Sequence, residues 1–465
     1  MKFLLFGTGD YYDRYKKWFP KEDVVALLDN SLTKQGTCLD DIPIVSPKEG
    51  VQLPFDRVVI LSFYVEEMRN QLKHLGVSED RICHFFDLRF LLPWKELKKS
   101  IQYYGKAEEV LSSEETKRKK ILLLSHDLNL GGPAIALYYA AVTLRNHGYE
   151  AVYASMLDGP LKEKLLAEQI PVVVDCNLQM ETMREADWIG SFSLLICNTI
   201  SYYVFLSERN AKIPVIWWLH DSSFFYDGVN REVLHHLDRN KLKMVSVGPV
   251  PREAFCKIVP DMSMDELLYG VEDKAGSWNK TENRSGCIRF VTVGYIEKRK
   301  GQDILLQSVL MLPPKLRKQA DFCLVGQDTS KMAEQIQEEI KSILEVRMTG
   351  PVNRERIHQI LEDSDMMICP SREDPMPTVA AEAMMHGVPC LISNVAGTAA
   401  YIQDGVNGLI FQSENAEELS QKIAWCIAHS EELPRMGARA REVYESRFST
   451  KVFEEKLLEV VEESL

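Results

Sequence analysis

A chain of 465 residues, 45% hydrophobic and 26% charged, is long enough to bury two or three cores and too long for one. Its 55 Lys+Arg against 68 Asp+Glu give a net charge of -13, which argues against a protein that follows a nucleic-acid backbone by bulk charge. The 25 Gly and 20 Pro are scattered without repeats, which excludes collagen-like, solenoid and long disordered architectures.

The chain opens with the apolar run KFLLF, then Gly7-Thr8-Gly9, a helical stretch DYYDRYKKW and a second run VVALLD: strand, glycine turn, helix, strand. Asp29 lies about twenty residues past the glycines, where a ribose-binding acid sits in a dinucleotide fold, but Tyr12 stands where the third glycine of G-x-G-x-x-G belongs. Strands RVVILS and RICHFF flank the helical VEEMRNQLKHLG, so a small parallel α/β domain is predicted over residues 1–90. The opening apolar stretch is too short for a signal-peptide core.

Residues 91–119 show no strand pattern, are rich in charge and read as a connector, a solvated helix packing its aromatics on a neighbour. Trp94, Lys95, Lys98, Lys99, Tyr103, Tyr104 and Lys106 leave room for a membrane-surface helix, hence for peripheral contact with the inner face of a membrane.

A second α/β unit opens with KILLLS, passes through HDLNLGG and enters a helix at Pro133 that closes at Gly148, proline inside the start and glycine past the end. Strands AVYAS, PVVVD, LLICN and PVIWWL follow, alternating with helices, as in a doubly wound parallel sheet. The polar stretch KAGSWNKTENRSG marks a boundary, giving domains over 120–284 and 285–465, with the terminal helix expected to return to the first of the two. Two similar α/β domains joined by a hinge suggest a ligand held between them. The ten cysteines stand singly, mostly in apolar runs, the pattern of reduced thiols in a cytoplasmic protein. No apolar run approaches the roughly 18 residues that span a bilayer.

The most informative stretch is SREDPMPTVAAEAMMHGVP. Pro375 and Pro377 hold the chain extended and start a helix that Gly387 and Pro389 stop. Its first-turn amides at Thr378 and Val379 lack intrahelical partners and favour an anion such as phosphate. Asp374 just before the helix and Glu382 within it put carboxylates beside that anion site, which suits hydroxyl-rich groups, a sugar and a ribose, on either side. An acid in the apolar run AAEAMM is seldom left without a partner.

This run resembles the E-x7-E region of retaining glycosyltransferase family 4, with Asp374 in place of the first Glu and Glu382 as the second; Glu373 is the neighbouring candidate, but Asp374 has the spacing. Other stretches match in order: Gly131-Gly132, His220 after IWWL, LLYGVED, VGYIEKRKGQD with Gly294, Lys300 and Gly301, and GTAAYIQDGVNGLIF, over roughly residues 119–450. The resemblance implies an α/β GT-B fold, two Rossmann-like domains facing a cleft, with 120–284 taking the acceptor and 285–465 the donor. It further implies retaining transfer of a sugar from a nucleotide diphosphate-sugar to a glycan or lipid-linked acceptor in cell-surface polysaccharide or glycoconjugate synthesis, with neither cofactor nor metal required.

By position, Glu382 would hold the ribose, Asp374 the donor sugar, and Lys300 with the amides of Thr378 and Val379 the diphosphate. Gly131 and Gly132 would let backbone approach the donor phosphate and acceptor, Gly294 would belong to the donor-binding residues, and His220 would sit over the anomeric centre. Tyr295 stands where many relatives carry Arg, and Arg299 beside Lys300 is expected to point elsewhere. Asp363-Ser-Asp365 precedes its strand and reads as a helix-ending turn instead of a metal site; His235, His236 and His358 lack partners at ligand spacing.

Domain 1–90 resembles the small Rossmann-like domains of bacterial sugar-modifying proteins, and a docking or ligand-sensing role is expected. Rival functions are a GT-B sugar-nucleotide epimerase, a non-catalytic nucleotide-sugar binding protein and an NAD-dependent activity in the first domain. The last lacks both the third glycine and a Tyr-x-x-x-Lys pair.

Overall fold

The structure, a computed structural model, describes residues 1–113, 118–275, 286–327 and 331–465. Most of the polar boundary stretch, residues 276–285, lies outside the described residues, as do 114–117 of the connector.

Among the described residues the strands form three sheets. The first contains β1 (Phe3–Phe6), β2 (Val24–Leu28), β3 (Cys38–Leu39), β4 (Ile42–Val45), β5 (Arg57–Ile60) and β6 (Ile82–His84) in the order β3-β4-β2-β1-β5-β6, parallel except for the β3–β4 pair. The second contains β7 (Gln102–Tyr104), β8 (Lys120–Ser125), β9 (Glu150–Ser155), β10 (Val172–Val174), β11 (Leu194–Asn198), β12 (Val215–Leu219), β13 (Leu242–Ser246) and β14 (Asp265–Glu266). Its order is β14-β13-β12-β11-β8-β9-β10-β7. The third holds β15 (Ile288–Val293), β16 (Ala320–Val325), β17 (Val346–Met348), β18 (Met366–Cys369), β19 (Cys390–Ser393) and β20 (Gly408–Phe411), all parallel, in the order β17-β16-β15-β18-β19-β20.

The central strands are continuous apolar runs because helices cover both faces of a parallel sheet. In β12 every residue is buried. Trp217 points to one side against Phe255 and Trp218 to the other against Phe453, the two-residue period of a strand.

The connector departs from expectation. Among its described residues there is no long helix: Gln102–Tyr104 adds an antiparallel edge strand to β10, and a six-residue helix, Ala107–Ser112, follows. Three residues are too few to show alternation, and the edge is recruited by backbone hydrogen bonds that no side-chain pattern advertises. Trp94 is buried, with Arg89, Lys95 and Lys98 over its ring at 5.3, 5.8 and 5.6 Å, so it faces protein and not a membrane. Among the described residues no helix is long and apolar enough to cross a membrane.

The first sheet docks on the second. Trp18 is fully buried and donates from Nε1 to Gln179 at 2.7 Å, while Arg89 pairs with Glu185 at 2.6 Å and Lys98 with Glu181 at 2.6 Å. At the other end the helix Thr450–Ser464 lies on the second sheet, with Phe453 against Trp218 and Lys243 paired with Glu463 at 3.2 Å.

Candidate active site

The site is built on the helix Thr378–Met385, which begins after Pro377 and ends where Gly387, at φ 64, turns the chain. Lys300 and Asp374 meet in front of its first turn, Nζ to Oδ2 at 2.5 Å, beside a small cavity lined by Thr292, Val293, Ser371 and Val379. Asp374 is buried, and its carbonyl accepts from Gly397 N at 2.9 Å, which fixes the approach to the helix. Lys300 is delivered by a turn that only glycine can make: Gly301 has φ 71, and a Cβ there would lie 2.0 Å from the Pro370 carbonyl oxygen. Gly294, at φ 152, lies under the Lys300 side chain.

Glu382, one turn inside the helix, is buried. One carboxylate oxygen takes the guanidinium of Arg354, and the other, Oε2, finds no hydrogen-bond partner among the described residues. Sequence reasoning missed Arg354: it is the first residue of the helix Arg354–Glu362, capped by Asn353, and only the cap is legible locally.

The adjacent acids separate. Asp374 faces Lys300, whereas Glu373 reaches across the cleft to accept from the backbone N of Ser223 and from its Oγ, the latter at 2.8 Å. Arg299 points away from the cavity toward Glu297, at 2.8 Å, and the Glu373 carbonyl. Tyr295 is exposed.

His220 follows β12 and stacks on Trp218 with centroids 4.4 Å apart. Burial, with His126 nearby, pushes its pKa down to about 3, so the imidazole is neutral, and its Nε2 is buried without a partner among the described residues. His126, also held neutral mainly by burial, is a second imidazole that the sequence did not single out. Asp221 accepts from Ile200 N at 2.7 Å, and burial raises its pKa to about 7.

Gly131 and Gly132 begin the helix Gly132–Asn146, exposed, and a Cβ at either would meet nothing within 4 Å. Nothing in the protein demands glycine at these two positions. Asp365 ties its strand to the neighbouring one by accepting from Arg289 N at 2.9 Å. His235 and His236 are exposed, but His358, expected to stand alone, has its Nδ1 3.2 Å from Nε2 of His386. In the first domain Asp29 is engaged: Oδ1 accepts from Ser31 N at 2.8 Å, and Oδ2 from Thr8 and from Lys34 at 3.1 Å. Tyr12 is buried and bonds Asp40 at 3.0 Å. No free acid is left at the ribose position there.

Residues 277–443 match the model of glycosyl transferases group 1, and residues 117–246 that of glycosyl-transferase family 4. The chain thus carries two glycosyltransferase domains, one of family 4 and one of group 1. This glycosyltransferase carries a further domain at residues 1–83 that matches the C2185-like N-terminal model. It is 25% identical over 367 residues to spore coat protein SA of Bacillus subtilis, spanning 72% of this chain and 95% of the relative. Over 244 residues it is 28% identical to an uncharacterized 41.2 kDa protein in the cps region of Klebsiella pneumoniae, spanning 50% of this chain and 65% of that protein. Among solved structures, Anabaena Alr3699/HepE in complex with UDP and glucose superposes with a TM-score of 0.62 at 19% identity, covering 74% of this chain and 100% of that one. The lipopolysaccharide outer core galactosyltransferase WaaB superposes at 0.62 with 14% identity, covering 75% and 100%. The second and third sheets of this glycosyltransferase are therefore the two halves of a GT-B fold.

Proposed function

We propose that this glycosyltransferase moves a sugar from a nucleotide diphosphate-sugar to a hydroxyl of a glycan or lipid-linked acceptor, with retention at the anomeric carbon, in building a cell-surface polysaccharide or glycoconjugate. One observation carries the proposal: a single helix starts at the cavity that Lys300, Asp374 and Val379 line and, one turn inside, holds a buried carboxylate with an oxygen unpartnered among the described residues. The Anabaena protein of like fold has been solved with UDP and with UDP-glucose, which supports a nucleotide-sugar donor.

Glu382 Oε2 accepts a ribose hydroxyl, and Lys300 with the amides of Thr378 and Val379 meets the diphosphate. Asp374, held by Lys300, receives hydroxyls of the donor sugar. As the bond between the anomeric carbon and the leaving phosphate breaks, negative charge grows on the phosphate oxygens, and the fixed positive charge of Lys300 and the amides stabilises it. That charge does the work a metal ion does elsewhere. The acceptor oxygen attacks from the face the phosphate leaves, and its proton passes to the departing phosphate oxygen, which gives retention without a covalent carboxylate intermediate. Neutral His220, beside the anomeric centre, offers its free Nε2 to a sugar hydroxyl. Residues 120–284 bind the acceptor and 285–465 the donor. Among the described residues no disulfide joins any of the ten cysteines, which suits a cytoplasmic setting.

The test is a thermal-shift screen of wild type and Glu382→Gln against UDP-, GDP-, ADP- and dTDP-sugars with NAD(H) included, followed by NMR assignment of the product anomer. Stabilisation by one nucleotide-sugar, lost in the variant, is expected. Stabilisation by NAD(H) alone, equal in both proteins, would overturn the proposal.

A further inference from the structure

The amino-terminal domain reaches two loops of the transfer cleft. Arg14, in the helix Asp10–Tyr15, donates from Nη2 to Asp127 Oδ2 at 3.1 Å. Asp127 lies in the loop that runs from β8 to Gly131 and Gly132. Its carboxylate is buried, accepts from Asn129 N at 3.0 Å and Nδ2 at 2.9 Å, and sits 3.5 Å from His126 Nε2. Phe63, just after β5, packs on Phe225 with centroids 3.9 Å apart and on Phe224 at 5.7 Å. Those two rings follow Ser223, the residue that clasps Glu373 beside Asp374. Tyr11 completes the cluster at 4.2 Å from Phe63.

An aromatic cluster between two domains gains most by closing over itself. This one does not: Tyr11, Phe63, Phe224 and Phe225 all stay partly exposed, and the neighbouring Tyr64 is 70% exposed. On the 126–132 loop, His126 Nδ1 is buried without a partner among the described residues. Partly exposed rings, with Tyr64 well exposed next to Phe63, together with a buried imidazole nitrogen that lacks a partner among the described residues, fit a pyranose, whose C–H face is apolar and whose rim carries hydroxyls.

We propose that the amino-terminal domain forms one wall of the acceptor site, taking a sugar ring of the acceptor glycan on its aromatic seam, with Arg14 as a positioning residue that holds the 126–132 loop through Asp127. This rests on the transfer function proposed above and adds the part of the chain that selects the acceptor. Acceptor and donor are thereby read by different walls of the cleft, joined through Ser223 and Glu373.

The experiment uses the full chain and its Arg14→Ala, Arg14→Lys and Tyr64→Ala variants. Binding of p-nitrophenyl gluco-, galacto- and mannopyranosides is followed by saturation-transfer NMR without nucleotide, and UDP affinity by calorimetry. At least one glycoside should bind wild type, with its Kd raised about tenfold, near 1.4 kcal/mol, in Arg14→Ala and Tyr64→Ala and largely restored in Arg14→Lys, while UDP affinity holds within about twofold. Unchanged glycoside affinity in both alanine variants, no glycoside binding to wild type, or UDP affinity falling in step with glycoside affinity would each overturn the inference. If UDP fails to bind wild type while the glycoside effects stand, the donor assignment falls and the acceptor wall is upheld.

Discussion

Arg354 and Glu382 form an ion pair between an exposed guanidinium and a buried carboxylate, with side chains 65% and 2% accessible. The pair gives Glu382 a counter-charge when no ribose is present. Because the arginine is so exposed, solvent screening makes the pair weak, and a ligand hydroxyl can compete for the carboxylate. Glu382→Gln should therefore weaken nucleotide-sugar binding at least tenfold, about 1.4 kcal/mol, measured by calorimetry. Arg354→Ala should lower the melting temperature of the free protein and regain part of the loss when nucleotide is added. An unchanged melting temperature would show that the pair contributes nothing.

Lys300 places a side-chain positive charge against Asp374 and beside the first turn of Thr378–Met385. Lys300→Ala should reduce kcat by roughly 10²–10³-fold, the usual loss when a preorganised donor to developing charge is removed. The fall should appear in kcat more than in acceptor KM. An effect confined to acceptor KM would place Lys300 at the wrong substrate.

Two glycines offer a contrast. A Cβ on Gly397 would stand 1.8 Å from the Pro375 carbonyl oxygen, whereas one on Gly131 meets nothing within 4 Å. Gly397→Ala should destabilise the protein by about 2–3 kcal/mol in denaturant unfolding. Gly131→Ala should leave stability within about 0.5 kcal/mol and, on the proposed function, still reduce transfer by intruding on substrate. Full activity in Gly131→Ala would remove that glycine from the site.

Asp221 and His220 respond to pH in opposite senses. His220 has its pKa lowered to about 3, so its contribution to stability is complete above the ordinary histidine range near pH 6.5 and is lost as pH falls toward 3. Asp221 has its pKa raised to about 7, so its contribution is complete below the ordinary carboxylate range and is lost as pH rises through 7. Asp221→Asn removes the second effect while an amide oxygen can still accept from Ile200 N. The melting temperature of the variant minus that of wild type should thus climb from about pH 4 to about pH 8. Parallel curves would mean that Asp221 is ionised throughout.

Much of the architecture is legible in the sequence. Apolar runs such as KILLLS, LLICN and VIWWL declare buried parallel strands. Pro377 and Gly387 delimit the helix that carries Glu382. Each of these signals is local: a strand buried on both faces needs only its own residues to be apolar, and a helix end needs only its caps. Gly294 and Gly301 entered only through the family resemblance of VGYIEKRKGQD, and the structure supplies the physical reason for glycine there, since backbone at positive φ restricts the residue itself. The edge strand Gln102–Tyr104 was not, because it is held by the backbone of β10 and carries no pattern of its own.

What the sequence by itself determined, then, is which apolar runs become buried central strands and where the helix that carries Glu382 starts and stops. Tertiary structure alone decided the partners. Arg354 meets Glu382 across 28 residues, Lys300 meets Asp374 across 74, and Glu373 meets Ser223 across 150. It also turned two adjacent acids to different tasks and brought Arg14 to Asp127 across 113 residues. Periodicity and capping act within a few residues, whereas which charged groups meet at such separations is settled by how whole sheets and helices pack, and that leaves no mark on the local pattern of either partner.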